Sequence, residues 1–304
     1  MRIFRKKERR LEILKIRKMT KLKRELIGLL FGAIAAGVFA SESDGIYSFK
    51  VGQFDVYMLV ESESEGNTRI IPAADAALIK RYIPETGFRS STNVFLIKAP
   101  GHNILVDTGF GRTIFDKMKT LGVEPDKIDT VLITHLHGDH IGGLQKDGKP
   151  VFPNAKIYLS EKEHTYFTKT QVNQGAVAAL SPYGSRVVTF EPGVLGAASR
   201  EILPGISAIA NYGHTPGHTV YLVENGGAKL IIAGDFLHVA LVQIPNPGIS
   251  ATYDTDQSAA AASRRQILDY AAKNKISIGG MHMVYPAVGT VEADGSGFKF
   301  TPSR

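Results

Sequence analysis

Four side chains able to bind a metal fall within six residues in the stretch Thr134-His135-Leu136-His137-Gly138-Asp139-His140, which holds three of the chain's nine histidines. It follows Thr130-Val131-Leu132-Ile133, an apolar, β-branched run that reads as a buried strand, and Gly138-Asp139 marks a turn. If the backbone stays extended from His135 to His137, alternation puts both imidazoles on one side. A turn at Gly138 then carries Asp139 and His140 towards a second point nearby. One strand end could thus serve two metal ions, His135 and His137 on one, Asp139 and His140 on the other. Imidazole and carboxylate ligands suit zinc or a similar borderline transition metal. The bland alternative is a polar loop rich in histidine, and the density of ligands argues against it.

Three more sites lie where predicted strands end. In Gly213-His214-Thr215-Pro216-Gly217-His218 the Pro-Gly pair fits the centre of a type II turn. His218, past the turn and before the next strand, is the expected ligand. His214 is expected to orient the loop or hydrogen-bond a ligand, with the reverse assignment as the alternative. Asp235 follows the apolar run Leu230-Ile231-Ile232; a carboxylate at the end of a buried strand needs a partner, and its two oxygens can bridge two cations. An N-cap or loop role is the alternative. His282, between Met281 and Met283, reads alone as a packed core residue and is promoted only by the other motifs. His238, three residues after Asp235, could reach the pocket. Asp107, at the end of another strand, is placed to hold a ligand histidine in its tautomer. His102 reads as a turn residue and His164 as a helix-surface residue. Phe110, Phe115, Phe236 and Tyr212 flank the motifs; Phe110, Phe236 and Tyr212 are candidate apolar walls, whereas Phe115 reads as core.

The elements that must position these groups begin after residue 40. The formal charge of +7 on 304 residues misleads. Residues 1–40 hold twelve Lys/Arg against three Glu, a net of +9, leaving 24 basic and 26 acidic residues, a net of −2, in the rest. That remainder gives no electrostatic reason to expect nucleic acid. Cysteine is absent, which removes disulfides, thiolate ligands and thiol nucleophiles. A basic flank, the apolar run from Leu26 to Ala40 and the ending Val38-Phe39-Ala40 describe a signal peptide cleaved after Ala40, with an uncleaved anchor as alternative and Met19 as a second possible start. The expected destination is the periplasm or the exterior, with membrane contact only through that segment. Residues 41–304 are then one domain.

Within it, Tyr47–Lys50 and Phe54–Val60 read as a hairpin around Gly52-Gln53. Residues 61–92 read as irregular, with a helix near 73–82. Strands are expected at Asn93–Ala99 and His102–Val106, and a helix over Arg112–Leu121. Lys156–Leu159 is a strand and Glu161–Thr168 a helix capped by Ser160. Residues 170–204 give a short helix, a loop and a strand at 187–190. Strands follow at 206–212, 219–223 and 229–233, the last two joined at Asn225-Gly226-Gly227. Asp254-Thr255 is expected to cap a helix over 256–273, before strands at 276–279 and 298–301. Strands and helices alternate in two blocks, so helices outside two packed sheets are expected.

The series His135, His137, Asp139, His140, His218, Asp235, His282 resembles the binuclear metallohydrolases of the metallo-β-lactamase superfamily. The resemblance covers everything after the signal segment. It implies a four-layer αββα sandwich with metals at one edge of the sheets. Carried onto these residues, it implies that His135, His137 and His218 bind one metal, that Asp139, His140 and His282 bind the other, and that Asp235 bridges them. Residues 234–243, the run Tyr253–Gln257 and the Ala/Arg helix resemble the methyl parathion hydrolase branch, which implies hydrolysis of aryl phosphotriesters, lactones or esters. The loop after Asp107-Thr108-Gly109 is shorter than in that branch, which puts the phosphotriester in doubt.

Two divalent cations, expected as Zn2+, can share a water and lower its pKa, while Asp139 orients the nucleophile and takes its proton. The expected reaction is hydrolysis of an apolar ester, lactone or organophosphate triester by an exported enzyme, which could be a homodimer. Within the superfamily, a β-lactamase is disfavoured by Asp235 and the missing cysteine, and a glyoxalase II-like thioesterase by the weak basic cluster (Lys299, Arg304). A non-catalytic metal-dependent binding protein is the alternative of another class, and it would show a site blocked by side chains.

Overall fold

The computed structural model describes residues 44–196 and 199–303. The basic segment, the apolar run and the cleavage expected after Ala40 lie outside the described residues. Strands β1 (Ile46–Val51), β2 (Phe54–Glu65), β3 (Arg89–Ala99), β4 (His102–Val106) and β5 (Thr130–Leu132) pair in chain order. A ribbon of β6 (Gln145–Lys146) and β7 (Lys149–Pro150) precedes β8 (Lys156–Ser160) and β9 (Val187–Phe190), which complete this sheet. Pairing is antiparallel from β1 to β4 and parallel from β4 to β9. The second sheet runs β10 (Arg200–Leu203), β11 (Ile206–Ala210), β12 (Thr219–Asn225), β13 (Ala228–Ile232), β14 (Ser277–Gly279), β15 (Val288–Asp294) and β16 (Gly297–Pro302), again in chain order. Its single parallel pair, β13 with β14, is connected through the helix Gln257–Asn274.

Period-two alternation sets the layers. Ile97, Ile104, Val106 and Leu132 join a buried cluster with Val223, Ile231 and Ile278 of the second sheet. Their neighbours Leu96, Leu105 and Val131 face the other way and pack with Ile114, Met118 and Leu180 from helices. Ile267, Leu268 and Ala271 of the long helix cover the second sheet. The layers are therefore helix, sheet, sheet, helix, as expected for an αββα sandwich. Each fully buried Leu or Ile contributes roughly 1.5–3 kcal/mol.

Several local expectations need correction. β2 continues to Glu65 and β3 starts at Arg89, where residues 61–92 read as irregular. The register shift between Val60 and Ser62 turns Glu61 inward, and its carboxylate accepts the N–H groups of Arg112, Thr113 and Ile114, capping the helix Ile114–Thr120. Asp256, not Asp254-Thr255, caps the long helix by accepting from Ala259 N–H. Ser160 makes no side-chain cap bond, and its helix ends at Thr165, followed by a π-turn over Tyr166–Thr170. β10 and β15 carry no clear apolar alternation, since most of their side chains are polar or exposed. The Asn225-Gly226-Gly227 turn is a tight hairpin with φ of 58° and 85° at the two glycines, which β-hairpin twist requires.

Candidate metal centre

Four strand ends meet at one edge of the sandwich. β4 leads into Asp107, β5 into the 134–140 stretch, β13 into Asp235 and β14 into His282. The two sheets are stitched there: Thr219 N–H donates to Thr134 O at 3.0 Å, Tyr221 O–H to Ile133 O at 2.7 Å and Asn93 N–H to Met281 O at 2.8 Å. His137 is extended (φ −75°, ψ 154°) immediately before the short helix Gly138–Ile141, which carries Asp139 and His140.

Nitrogen and oxygen atoms converge in two groups. His135 Nε2 lies 3.0 Å from His137 Nδ1 and 3.2 Å from His214 Nε2, and His214 Nε2 lies 3.0 Å from His137 Nδ1. Asp235 Oδ2 completes this group at 3.4 Å from His214 Nε2 and 3.6 Å from His135 Nε2. In the second group Asp139 Oδ2 is 3.4 Å from His282 Nε2 and 3.7 Å from His140 Nε2. Asp235 stands between the groups, with Oδ2 3.1 Å from His282 Nε2 and Oδ1 3.1 Å from His140 Nε2.

The outward hydrogen bonds fix which nitrogens face inward. His140 Nδ1 is 2.7 Å from Asp107 Oδ2, His214 Nδ1 is 3.0 Å from Asp254 Oδ1 and His282 Nδ1 is 2.9 Å from Ser91 O. Each acceptor receives a hydrogen bond from Nδ1–H, which turns Nε2 inward as the atom available to a metal. Thr134 donates its hydroxyl to Asp107 Oδ2, so its oxygen accepts from His135 Nδ1 and bares Nε2 there too. Asp107 adopts φ 58°, a strained conformation for a non-glycine residue, and its carboxylate also accepts Thr134 N–H.

His218 does not join them, and the expected assignment within its loop is corrected. Its Nδ1 donates to Asn211 O and its Nε2 accepts Asp235 N–H, both at 3.0 Å, so neither nitrogen is free for a metal. His214 Nε2 stands in the first group in its place, and His218 braces the backbone of Asp235. Gly234 makes that contact possible, since a Cβ there would come within 2.5 Å of His218 Nε2. The Thr215–His218 turn forms, but Gly217 has no positive φ, so it is not type II. Glycine is required there because a Cβ would lie 2.2 Å from the backbone nitrogen of Glu163.

Charge divides the two groups. Burial holds His135 well below the ordinary imidazole range, and burial followed by the nearby His214 lowers His137 to about 4. Burial also disfavours charge on His140 and His282, but Asp235 and Asp139 outweigh it, with Asp107 helping at His140, and both are raised. Burial pushes Asp235 up, yet His140 and His282 outweigh that and hold it well below the carboxylate range. The carboxylates of Asp235 and Asp139 thus favour positive charge at this position, which a divalent cation would supply. His140 Nε2 and Asp235 Oδ1 are buried and lack a hydrogen bond of acceptable geometry. Bare imidazole nitrogens around a shared carboxylate, with orphaned polar atoms between them, fit divalent cations.

The remaining candidates separate by burial. His238 Nε2 lies 3.3 Å from Asp235 Oδ2, and its ring stacks on His282 at 5.2 Å. Phe110 lines the cavity over the site and is 40% exposed. Phe236 and Tyr212 do not line it. Phe236 is in the sandwich core, and Tyr212 lies under the Lys162 ammonium. Phe115 packs on the core beneath the helices. His102 opens β4, its Nδ1 3.3 Å from Asp129 Oδ1. Three residues that hold these groups in place had no expected role at the site: Asp254, Glu163 and Arg264. Asp254 sits in the Tyr253–Gln257 run and was legible there only as a helix cap. Glu163 and Arg264 carry no local signal, since both look like ordinary helix charges.

The sequence model described as the metallo-beta-lactamase superfamily matches residues 87–275. The chain belongs to that superfamily. A solved hydrolase of the beta lactamase superfamily, AbOPH, is similar to it at a TM-score of 0.77 and 27% identity, over 87% of this chain and 99% of its own. AidC, a dizinc quorum-quenching lactonase in complex with a product, is similar in fold at a TM-score of 0.76 and 24% identity, over 86% of this chain and 98% of its own. Among curated relatives, exodeoxyribonuclease WalJ of Streptococcus pneumoniae (serotype 2, strain D39 / NCTC 7466) is 31% identical over 90 residues, 28% of this chain. That match spans 34% of WalJ's length.

Proposed function

We propose that this chain is a binuclear metal-dependent hydrolase of neutral esters, lactones or organophosphate triesters. The observation that carries the substrate class is the cavity over the donor groups. It measures about 630 Å³, and no Lys or Arg lines it among the described residues. Its walls are Phe110, Ile70 and Tyr253 with the hydroxyls of Ser62, Ser64 and Ser90, while its charged lining is Glu65, Asp139 and Asp235. With Asp139 and Asp235 taken up by the cations, the rest of the wall offers Glu65 and no cationic side chain to hold the further negative charge of a phosphodiester or a glutathione conjugate. A neutral substrate avoids the conflict. A larger adjoining cavity of about 1060 Å³ shares His238 and His282 but none of the other donor residues, so the smaller one is the seat of the chemistry.

His135, His137 and His214 would hold one cation and Asp139, His140 and His282 the other, with Asp235 between them. Bound there, divalent cations would supply an acidified water and electrophilic polarisation of a carbonyl or phosphoryl oxygen. The side chain of Asp139 is 25% exposed and lines the cavity, where it can take the proton released as water attacks. Asp107, Asp254 and the Ser91 carbonyl keep the ligand imidazoles in one tautomer. His238, beside Asp235, lines the same cavity and can contact bound substrate. The likeness to AbOPH supports hydrolysis, the likeness to AidC supports the fold that carries it, and the open cavity counts against a purely binding role.

The test is metal analysis together with turnover of a chromogenic ester, lactone and phosphotriester panel. A phosphodiester, a β-lactam and a glutathione thioester serve as comparators, and His137→Ala as control. Turnover of neutral substrates that disappears in His137→Ala is expected. Bound metal with turnover of the anionic comparators alone would reject the neutral-substrate class.

A further inference from the structure

Glu163 is fully buried on the helix that follows β8; burial pushes its carboxyl up, and among the described residues no Lys or Arg pairs with it. Its Oε1 accepts the N–H of Leu136 at 2.9 Å, the residue between His135 and His137. Its Oε2 accepts the Thr215 hydroxyl at 2.7 Å and the Gly217 N–H at 2.9 Å, in the loop that carries His214. One carboxylate therefore bonds to the two backbone segments that supply three imidazoles to one position. The absent Cβ of Gly217 lets its loop press against the Glu163 backbone, so loop and helix meet without clearance.

Burying a carboxylate is costly, and its hydrogen bonds offset that only when several good donors converge. Here three donors come from segments distant in sequence, and none of them is a ligand atom. A neutral side chain could fill the same space. What a two-oxygen anion adds is a fixed separation between the 135–137 segment and the 214–217 segment, because each oxygen holds one of them. We propose that Glu163 is a positioning residue that sets the distance between the His135/His137 pair and His214, and so the affinity and geometry of the cation held there. The proposal rests on the reading of this site as a metal centre.

The experiment compares the wild-type protein with Glu163→Gln and Thr215→Val. An amide at 163 sets a donor against donors, and Thr215→Val removes one bond while keeping the carboxylate. Three properties are read: Zn2+ affinity by competition with a chelator, the visible spectrum of the Co2+-loaded protein, and the melting temperature of the metal-free protein. The expected result is a Zn2+ affinity lowered about 10–100-fold in Glu163→Gln, by analogy with other groups that orient ligands. The Co2+ spectrum should change with it, and Thr215→Val should show a smaller change of the same kind. If Glu163→Gln does not fold, the affinity and spectrum of Thr215→Val decide. Wild-type affinity and spectrum in a variant that only melts lower would overturn the proposal and leave the metal centre standing. Failure of the wild-type protein to bind Zn2+ or Co2+ would overturn the metal centre itself, and this proposal with it.

Discussion

His214 Nδ1 lies 3.0 Å from Asp254 Oδ1, whereas His218 Nδ1 lies 3.0 Å from a backbone carbonyl and its Nε2 is already taken by Asp235 N–H. Two histidines four residues apart therefore have different work. His214→Ala should lose one equivalent of metal, and its hydrolysis should fall by more than the ~100-fold that loss of an orienting group costs. His218→Ala should keep both equivalents but lose about 1–3 kcal/mol of stability, because the Asp235 N–H is left buried without an acceptor. Metal stoichiometry and denaturant midpoints on the two variants distinguish the roles. Equal metal loss in both would mean that the loop rearranges around either nitrogen.

Asp254 is itself held. Arg264 is almost fully buried, donates to the carbonyls of Phe236, Pro247 and Ile249, and reaches Asp254 Oδ2 at 3.4 Å. Burial works against the charge of Asp254, but its hydrogen bonds with His214 and Ala251 outweigh it and lower its pKa. Asp254→Asn keeps the shape and removes the anion that fixes the His214 tautomer. Metal affinity should fall about 10–100-fold with little change in the circular dichroism spectrum. An Asp254→Asn protein of unchanged affinity would place the tautomer under some other control.

Acid should empty the two positions at different pH. His137 is lowered to about 4 and His135 well below its ordinary value, so these two imidazoles stay proton-free through mild acid. His140 and His282 are raised, so a cation there competes with protons already near neutrality. Dialysis against Zn2+ at falling pH should show loss of the Asp139/His140/His282 equivalent before the other. The metal-free protein obeys the matching signs. Folded values below the unfolded ~6.5 make His135 and His137 destabilising as pH falls below that value. Folded values above it give His140 and His282 a stabilisation that is complete below ~6.5 and lost as pH rises through their own values. Release of both equivalents in a single step would contradict the split.

Much of this was legible from types and spacing because strand ends set it locally. The run 130–133 and the pattern 134–140 fix both the strand and the imidazole and carboxylate groups it delivers to one place, and Asp235 and His282 follow apolar strands of the same kind. The choice between His214 and His218 was not legible. It depends on Asp254 and Asn211, forty residues away in one direction and seven in the other, and on a turn whose glycine is set by tertiary approach to Glu163 and not by φ. Residues 61–65 looked irregular because a bulge breaks the alternation that period-two reading relies on. Glu163 and Arg264 were invisible for a related reason: a buried charge on a helix looks in sequence like any solvated one.

Phe110 and Phe236 were equal candidates for the substrate wall, and the structure separates them. Phe236 is 3% exposed inside the sandwich core, and Phe110 is 40% exposed over the donor groups, with the Arg112 guanidinium 4.9 Å from its ring centre. Phe236→Ala should therefore cost about 3–5 kcal/mol, the usual loss for truncating a core aromatic. Phe110→Ala should change stability by about 0.5 kcal/mol or less. Its effect should fall on substrate: losing one apolar contact surface of that size raises KM for an aryl or alkyl ester by up to about tenfold, with kcat nearly unchanged, because that contact is made equally before and during reaction. Steady-state kinetics and urea midpoints on both variants read the two predictions together. A Phe110→Ala protein with unaltered KM across the ester, lactone and triester panel would move the substrate away from that wall and towards Ile70 and Tyr253.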